Sequence, residues 1–183
     1  MSPERTSAPT PGRYGRIAMA LHWLMALFLP TQVALGWYML SIEDQPGSAW
    51  YFALHISLGL TLAALAALRV RWRLAHAPHP LPASVARWEG NFARASHLLL
   101  YFTMVLLLVT GYLGASVSGD AVSYFGLPLP GWSAKNDSLK ELFFGAHSVI
   151  AWMLVVLVAV HVLGAVKHLV KDKDGVFWRM WPR

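Results

Sequence analysis

The chain contains no cysteine. Disulfides, iron–sulfur clusters, thiolate metal ligation and the covalent attachment of a c-type haem are excluded together by that absence. The same absence leaves the redox compartment undecided. Charge is also scarce, at 13% of 183 residues against 56% hydrophobic. A soluble domain carries roughly 25% charged residues, and the mean hydropathy here is +0.46. No whole-domain repeat is visible, and the 14 glycines and 11 prolines fall largely in tails, loops and helix ends.

What the chain has instead is long apolar runs. Four of them, Ile17–Leu40, Trp50–Val70, Ser96–Val117 and Phe143–Leu169, are each long enough for a bilayer-crossing helix of about 20 residues. The first exceeds a signal-peptide core and is followed by no small-residue cleavage site, so it reads as a retained helix. The expectation is an all-α integral membrane four-helix bundle with an up-down-up-down course. Residues 1–16 form an N-terminal tail, 17–169 the membrane domain and 170–183 a C-terminal tail.

Cations decide the orientation. Arg5, Arg13 and Arg16 precede the first run, and Arg69, Arg71, Arg73, Arg87 and Arg94 lie in or beside the connection between the second and third. Lys167, Lys171, Lys173, Arg179 and Arg183 follow the fourth, whereas only Lys135 and Lys140 fall on the other side. By the positive-inside rule both termini are cytoplasmic. The formal charge of +6 is thereby a topology signal and requires no nucleic-acid partner. The longer outer segment, Ser118–Leu142, contains SYFGLPLPGW, which glycine and proline prevent from forming one regular helix. It is expected to cap the bundle in the interface, anchored by Tyr124, Phe125 and Trp132. On the inner side, HAPHPLP is a stiff stretch, and ASVARWEGNFARAS is expected to form a short amphipathic surface helix.

Ionisable side chains at membrane depth are costly and usually functional, which draws attention to the histidines. His147 and His161 sit fourteen residues apart in the last run. At about 100° per residue, fourteen steps return a helix to within roughly 40° of its starting direction and advance it about 21 Å. The spacing recurs as His22 to Gly36, His55 to Arg69 and His97 to Gly111. With alternating helix directions, His22, Arg69, His97 and His161 lie at an inner level, and Gly36, His55, Gly111 and His147 at an outer one. Imidazole is a common haem-iron ligand, so each level offers the axial pair a haem needs, two stacked centres in all. At the inner level His22 and His97 compete for His161. Gly36 and Gly111 are expected to clear space for the outer macrocycle. Arg69, Lys167 and His168 are candidate contacts for the inner propionates, whereas His76 and His79 lie among loop prolines and receive no chemistry. Iron held by two histidines has no open position, which favours electron transfer over oxygen activation.

These features resemble the bacterial cytochrome b561 family of small four-helix di-haem b proteins. The resemblance is carried by RYGRIAMALHWLMA, the ALH of the second helix, SHLLLY with TGYLG, YFGLPLPG, GAHSVIAWMLVVLVAVHVLGAVKH and DKDGVFWRMWP. It implies axial ligands His22 and His161 for an inner haem b and His55 and His147 for an outer one, resolving the competition with His97. It also implies a bacterial inner-membrane location and an oxidoreductase that takes electrons from superoxide and passes them to ubiquinone. The outer loops hold Glu43, Asp44, Asp120, Asp137 and Glu141 against Lys135 and Lys140, so any anion would be drawn by a local lysine patch. Two other functions fit the same chain. One is a membrane-anchor cytochrome b subunit relaying electrons from a periplasmic redox partner such as a hydrogenase. The other is a haem-free transporter whose histidines relay protons.

Overall fold

The computed structural model describes residues 12–77, 79–131 and 134–182. Four helices carry the fold: α1 (Arg16–Ser41), α2 (Ser48–Ala75), α3 (Arg87–Val117) and α4 (Asp137–Lys167). Each is long and apolar enough to cross a membrane. The helices outrun the apolar runs that announce them because their ends are polar. Asn136 caps α4 by accepting from Leu139 N at 3.0 Å, seven residues before the apolar run begins at Phe143. Glu89 Oε2 accepts from Ala86 N at 3.2 Å at the start of α3.

That α3 start corrects one expectation. Residues 87–117 contain no proline and run as one helix, so the amphipathic stretch ASVARWEGNFARAS supplies the first turns of α3 rather than a separate surface helix. Nothing in the sequence between Gly90 and Ser96 interrupts the backbone bonding, and capping by Glu89 lets the helix begin early.

The helices pack as two antiparallel pairs. α1 lies along α2, as the bond from Arg69 Nη1 to Ala18 O at 2.8 Å requires. α3 lies along α4, with His97 beside His161 and Gly111 beside His147. Between the pairs runs a seam with few backbone approaches, mostly between α2 and α3. Midway along the seam Met25, Leu62, Met104 and Leu154 are buried together, one from each helix. Leu62, Met104 and Leu154 each stand seven residues from both members of their helix's fourteen-residue pair. Seven residues are about two turns, so the same faces that carry the histidines supply an apolar septum between the levels.

The two ends of the bundle are closed differently. On the outer side, Ser123–Tyr124 (β1) pairs antiparallel with Leu127–Pro128 (β2). The turn between them has φ 47° at Phe125 and 86° at Gly126, the mirror-image turn that suits a two-residue hairpin. Phe125 N donates to Ser57 Oγ at 2.9 Å, and Tyr124 Oη lies 3.3 Å from Thr61 Oγ1. Ser57 is only 2% exposed. The hairpin is therefore bonded to α2 at this end of the bundle. Tyr124 turns inward, unlike the interfacial anchor expected, while Phe125 is 59% exposed; Trp132 lies outside the described residues.

On the other side, Arg179 is 2% exposed and its guanidinium binds three carbonyls of two segments. Nε donates to Gly12 O at 2.9 Å, Nη2 to His79 O at 2.9 Å and Nη1 to Pro80 O at 3.3 Å. Arg13 Nη2 donates to Trp181 O at 2.6 Å, and Trp23 Nε1 to Met180 O at 2.7 Å. The described ends of the chain and the α2–α3 connection thus share one side of the bundle, the side the charge pattern names as inner.

The septum gives a direct test of packing. Leu154 is 3% exposed, so Leu154→Ala should cost about 2–5 kcal/mol in unfolding in mixed micelles. Val149→Ala, at a residue 61% exposed on the same helix, should stay within about 0.5 kcal/mol of the parent. Equal effects of the two changes would remove the septum as a source of stability.

Candidate functional site

Two imidazole pairs cross the seam. His22 of α1 faces His161 of α4 with ring centroids 6.2 Å apart and planes at 67°. His55 of α2 faces His147 of α4 at 6.3 Å and 73°. An imidazole nitrogen binds a metal at about 2 Å, so two rings in line on opposite sides of a metal stand about 6 Å apart between centroids. Both pairs have the spacing of a bis-imidazole metal site, and the septum lies between them.

His97 is placed differently. Its ring is 5.2 Å from that of His161, closer than the seam-crossing pairs, and it belongs to the same helix pair as His161. Its Nδ1 lies 2.7 Å from Ala93 O, a bond within its own helix. His147 Nδ1 has Leu107 O at 3.1 Å and Thr110 Oγ1 at 3.3 Å. Donation to the Leu107 carbonyl puts the proton on Nδ1 and leaves Nε2 as the free electron pair.

The two glycines act closer to the imidazoles than expected. A Cβ at Gly111 would lie 3.0 Å from His147 Cε1 and 3.1 Å from its Nδ1. A Cβ at Gly36 would lie 3.2 Å from His55 Cε1. The room they clear is taken first by the histidine rings. Further out, Trp37 of α1 and Trp152 of α4 lie with ring centroids 5.1 Å apart across the seam, their planes tilted by 34°.

The candidate anion contacts separate into two kinds. Arg69 Nε donates to Tyr101 Oη at 3.1 Å and Nη1 to Ala18 O. Its Nη2 takes no protein partner among the described residues. Lys167 Nζ instead lies 2.6 Å from Glu89 Oε1 and 2.5 Å from Asp172 Oδ2. His168 Nδ1 lies 2.7 Å from Asp174 Oδ2 and 3.2 Å from Asp172 Oδ2. Protein carboxylates already meet both groups. The five residues form one network where α4 passes into a π-helical turn, His168–Asp172. On the outer side Lys135 pairs with Asp137 at 3.3 Å, both exposed.

Sequence reasoning passed over Gln32, Ser57 and Tyr101. Gln32 carried a signal, as the sole amide side chain in the first apolar run, one turn from Gly36. Ser57 and Tyr101 carried none, because hydroxyls occur throughout membrane helices as local caps.

The family described as prokaryotic cytochrome b561 matches residues 13–183. Cytochrome b561 homolog 2 of Escherichia coli (strain K12) is 36% identical over 176 residues, covering 93% of this chain and 92% of the relative. Cytochrome b561 homolog 1 of the same organism is 25% identical over 178 residues, covering 93% and 98%.

The contact between Gly111 and His147 makes a prediction with its own control. Gly111→Ala drives a methyl into the imidazole and should destabilise by about 1–3 kcal/mol, as overpacking does. Gly145→Ala, on α4 with nothing within 4 Å of its Cβ position, should be stabilising by up to about 1 kcal/mol through helix propensity. Unfolding in mixed micelles reads both, and a neutral Gly111→Ala would mean that α3 and the ring part freely.

Proposed function

We propose that this chain, which belongs to the prokaryotic cytochrome b561 family, carries two b-type haems in stacked layers and delivers single electrons to ubiquinone. Membership and the four apolar helices make it a multi-pass bacterial membrane protein, a b-type cytochrome of electron transfer. The finer reading rests on one observation: two imidazole pairs at 6.2 and 6.3 Å, both crossing the seam between helix pairs. His22 and His161 would hold the inner haem, and His55 and His147 the outer one. When bound, each haem supplies a one-electron couple.

The residues around those pairs serve that chemistry. Two imidazoles per iron would leave the metal no position open to substrate, which suits one-electron transfer rather than oxygen activation. Met25, Leu62, Met104 and Leu154 keep the space between the layers apolar. Arg69, with an unengaged Nη2 and a depth near His22, is the propionate contact of the inner layer. Lys167 and His168 would have to leave Glu89, Asp172 and Asp174 to share that role. With the basic side cytoplasmic, the bilayer is the inner membrane and His55 and His147 lie towards the periplasm.

Haem quantitation and single substitutions test this. Pyridine haemochrome should give two haems per polypeptide. His55→Ala and His147→Ala should remove the same low-spin component, and His22→Ala and His161→Ala the other. His97→Ala should retain both. One haem per chain, or loss of a common component from His147→Ala and His161→Ala, would overturn the layered reading.

Superoxide is the proposed donor, reacting near Lys135 and Lys140. Because Asp137 already offsets Lys135, the attraction is local and modest. Lys135→Glu combined with Lys140→Glu should slow haem reduction on rapid mixing with superoxide. The difference should shrink as salt shortens the screening length from about 10 Å at 0.1 M. Absence of reduction in the unsubstituted protein would rule superoxide out and leave the periplasmic redox partner as donor.

A further inference from the structure

In the outer layer two buried atoms on neighbouring, hydrogen-bonded residues lack partners. His55 Nδ1 has no hydrogen bond among the described residues, and neither has Gln32 Oε1. Buried polar atoms in folded proteins are rarely left so. The other end of the Gln32 amide is engaged: Nε2 donates to the backbone carbonyl of His55 at 2.7 Å. That carbonyl can only accept, so the amide orientation follows and Oε1 is the acceptor left over.

The surrounding backbone is cut to fit this amide. A Cβ at Gly59 would lie 3.0 Å from Gln32 Nε2, so the glycine gives the side chain its seat on α2. A Cβ at Gly36, one turn beyond Gln32 on α1, would lie 3.2 Å from His55 Cε1 and 3.7 Å from its Nδ1. The Nδ1 edge of His55 therefore faces α1 near Gln32. Across the layer His147 already has a carbonyl at its Nδ1; His55 lacks the equivalent.

We propose that Gln32 is the positioning residue for His55. In the haem-loaded protein its Oε1 would accept the His55 Nδ1–H, a bond not formed in this structure, while its Nε2 holds the His55 carbonyl, so one amide would bracket one residue. The inference rests on His55 being an axial ligand. Ligation through Nε2 leaves the ring proton on Nδ1, which turns the unpartnered nitrogen into a donor in need of an acceptor. Metal-bound histidines almost always donate their other ring N–H to such a group, which fixes the tautomer and raises ligand basicity. A more basic ligand favours the ferric state.

Redox titration of the purified holo-protein tests it, with the inner haem as internal reference. Gln32→Leu removes the acceptor and should raise the outer midpoint potential. The expected change is on the order of tenfold in the ferric-to-ferrous equilibrium, about 59 mV for one electron. Gln32→Glu keeps an acceptor oxygen but loses the donor to the His55 carbonyl. It should return the outer potential to the parent value or below. The inner potential should move in neither variant. A residue that merely held the carbonyl or filled space would shift both variants alike, so a common shift, no shift, or loss of the outer haem from both overturns the proposal. His55→Ala separates the two levels of the argument. Retention of the outer haem there defeats the ligand reading itself, whereas its loss beside unresponsive Gln32 variants defeats only the role of Gln32.

Discussion

Two helix pairs meet along one seam, and four imidazoles face one another across it in two pairs. In a bilayer no hydrophobic effect drives helices together, because lipid tails are as apolar as leucine. Within each pair, small residues and close packing suffice, as Gly36 against His55 and Gly111 against His147 show. Between the pairs a different device is needed. Rings standing 6.2 and 6.3 Å apart leave a gap too wide for direct bonding and suited to a bridging metal. These are the four residues proposed above to hold the haems.

The septum follows from the same geometry. A helix face that presents a histidine at one level presents another residue of that face two turns later, and three of the four helices place a large apolar side chain there. The layers are thus held at a fixed separation by packed side chains. An interior so filled offers protons no continuous path of polar groups. This division suits a carrier of single electrons, whose proton exchanges belong to the surfaces.

The bundle's ends are secured by polar contacts. Ser57 and Thr61 receive the outer hairpin at a depth where irregular backbone is tolerated only against protein. At the opposite end a single buried guanidinium satisfies carbonyls from the start of the chain and the α2–α3 connection. Five donors in a rigid fork make arginine suited to joining several backbone segments at once. Neither arrangement extends the apolar pattern, and both hold the ends of helices that carry the histidines.

Hydropathy and helical pitch by themselves determined the four spans, the placement of the chain ends on one side and the two levels of histidines. Rise and rotation per residue are properties of the backbone alone, so a fourteen-residue interval places two side chains without knowledge of neighbours. Partner choice lies beyond such arithmetic. Only the packed structure put His22 at 6.2 Å from His161 and His97 at 5.2 Å, because that difference depends on which helices pair and which face each other across the seam. It likewise turned Tyr124 inward, buried Arg179 and engaged Lys167 with Glu89 and Asp172. A charge in a sequence announces a side of the membrane. Whether it stays in water or is taken by a carboxylate 78 residues away is decided when the chain folds.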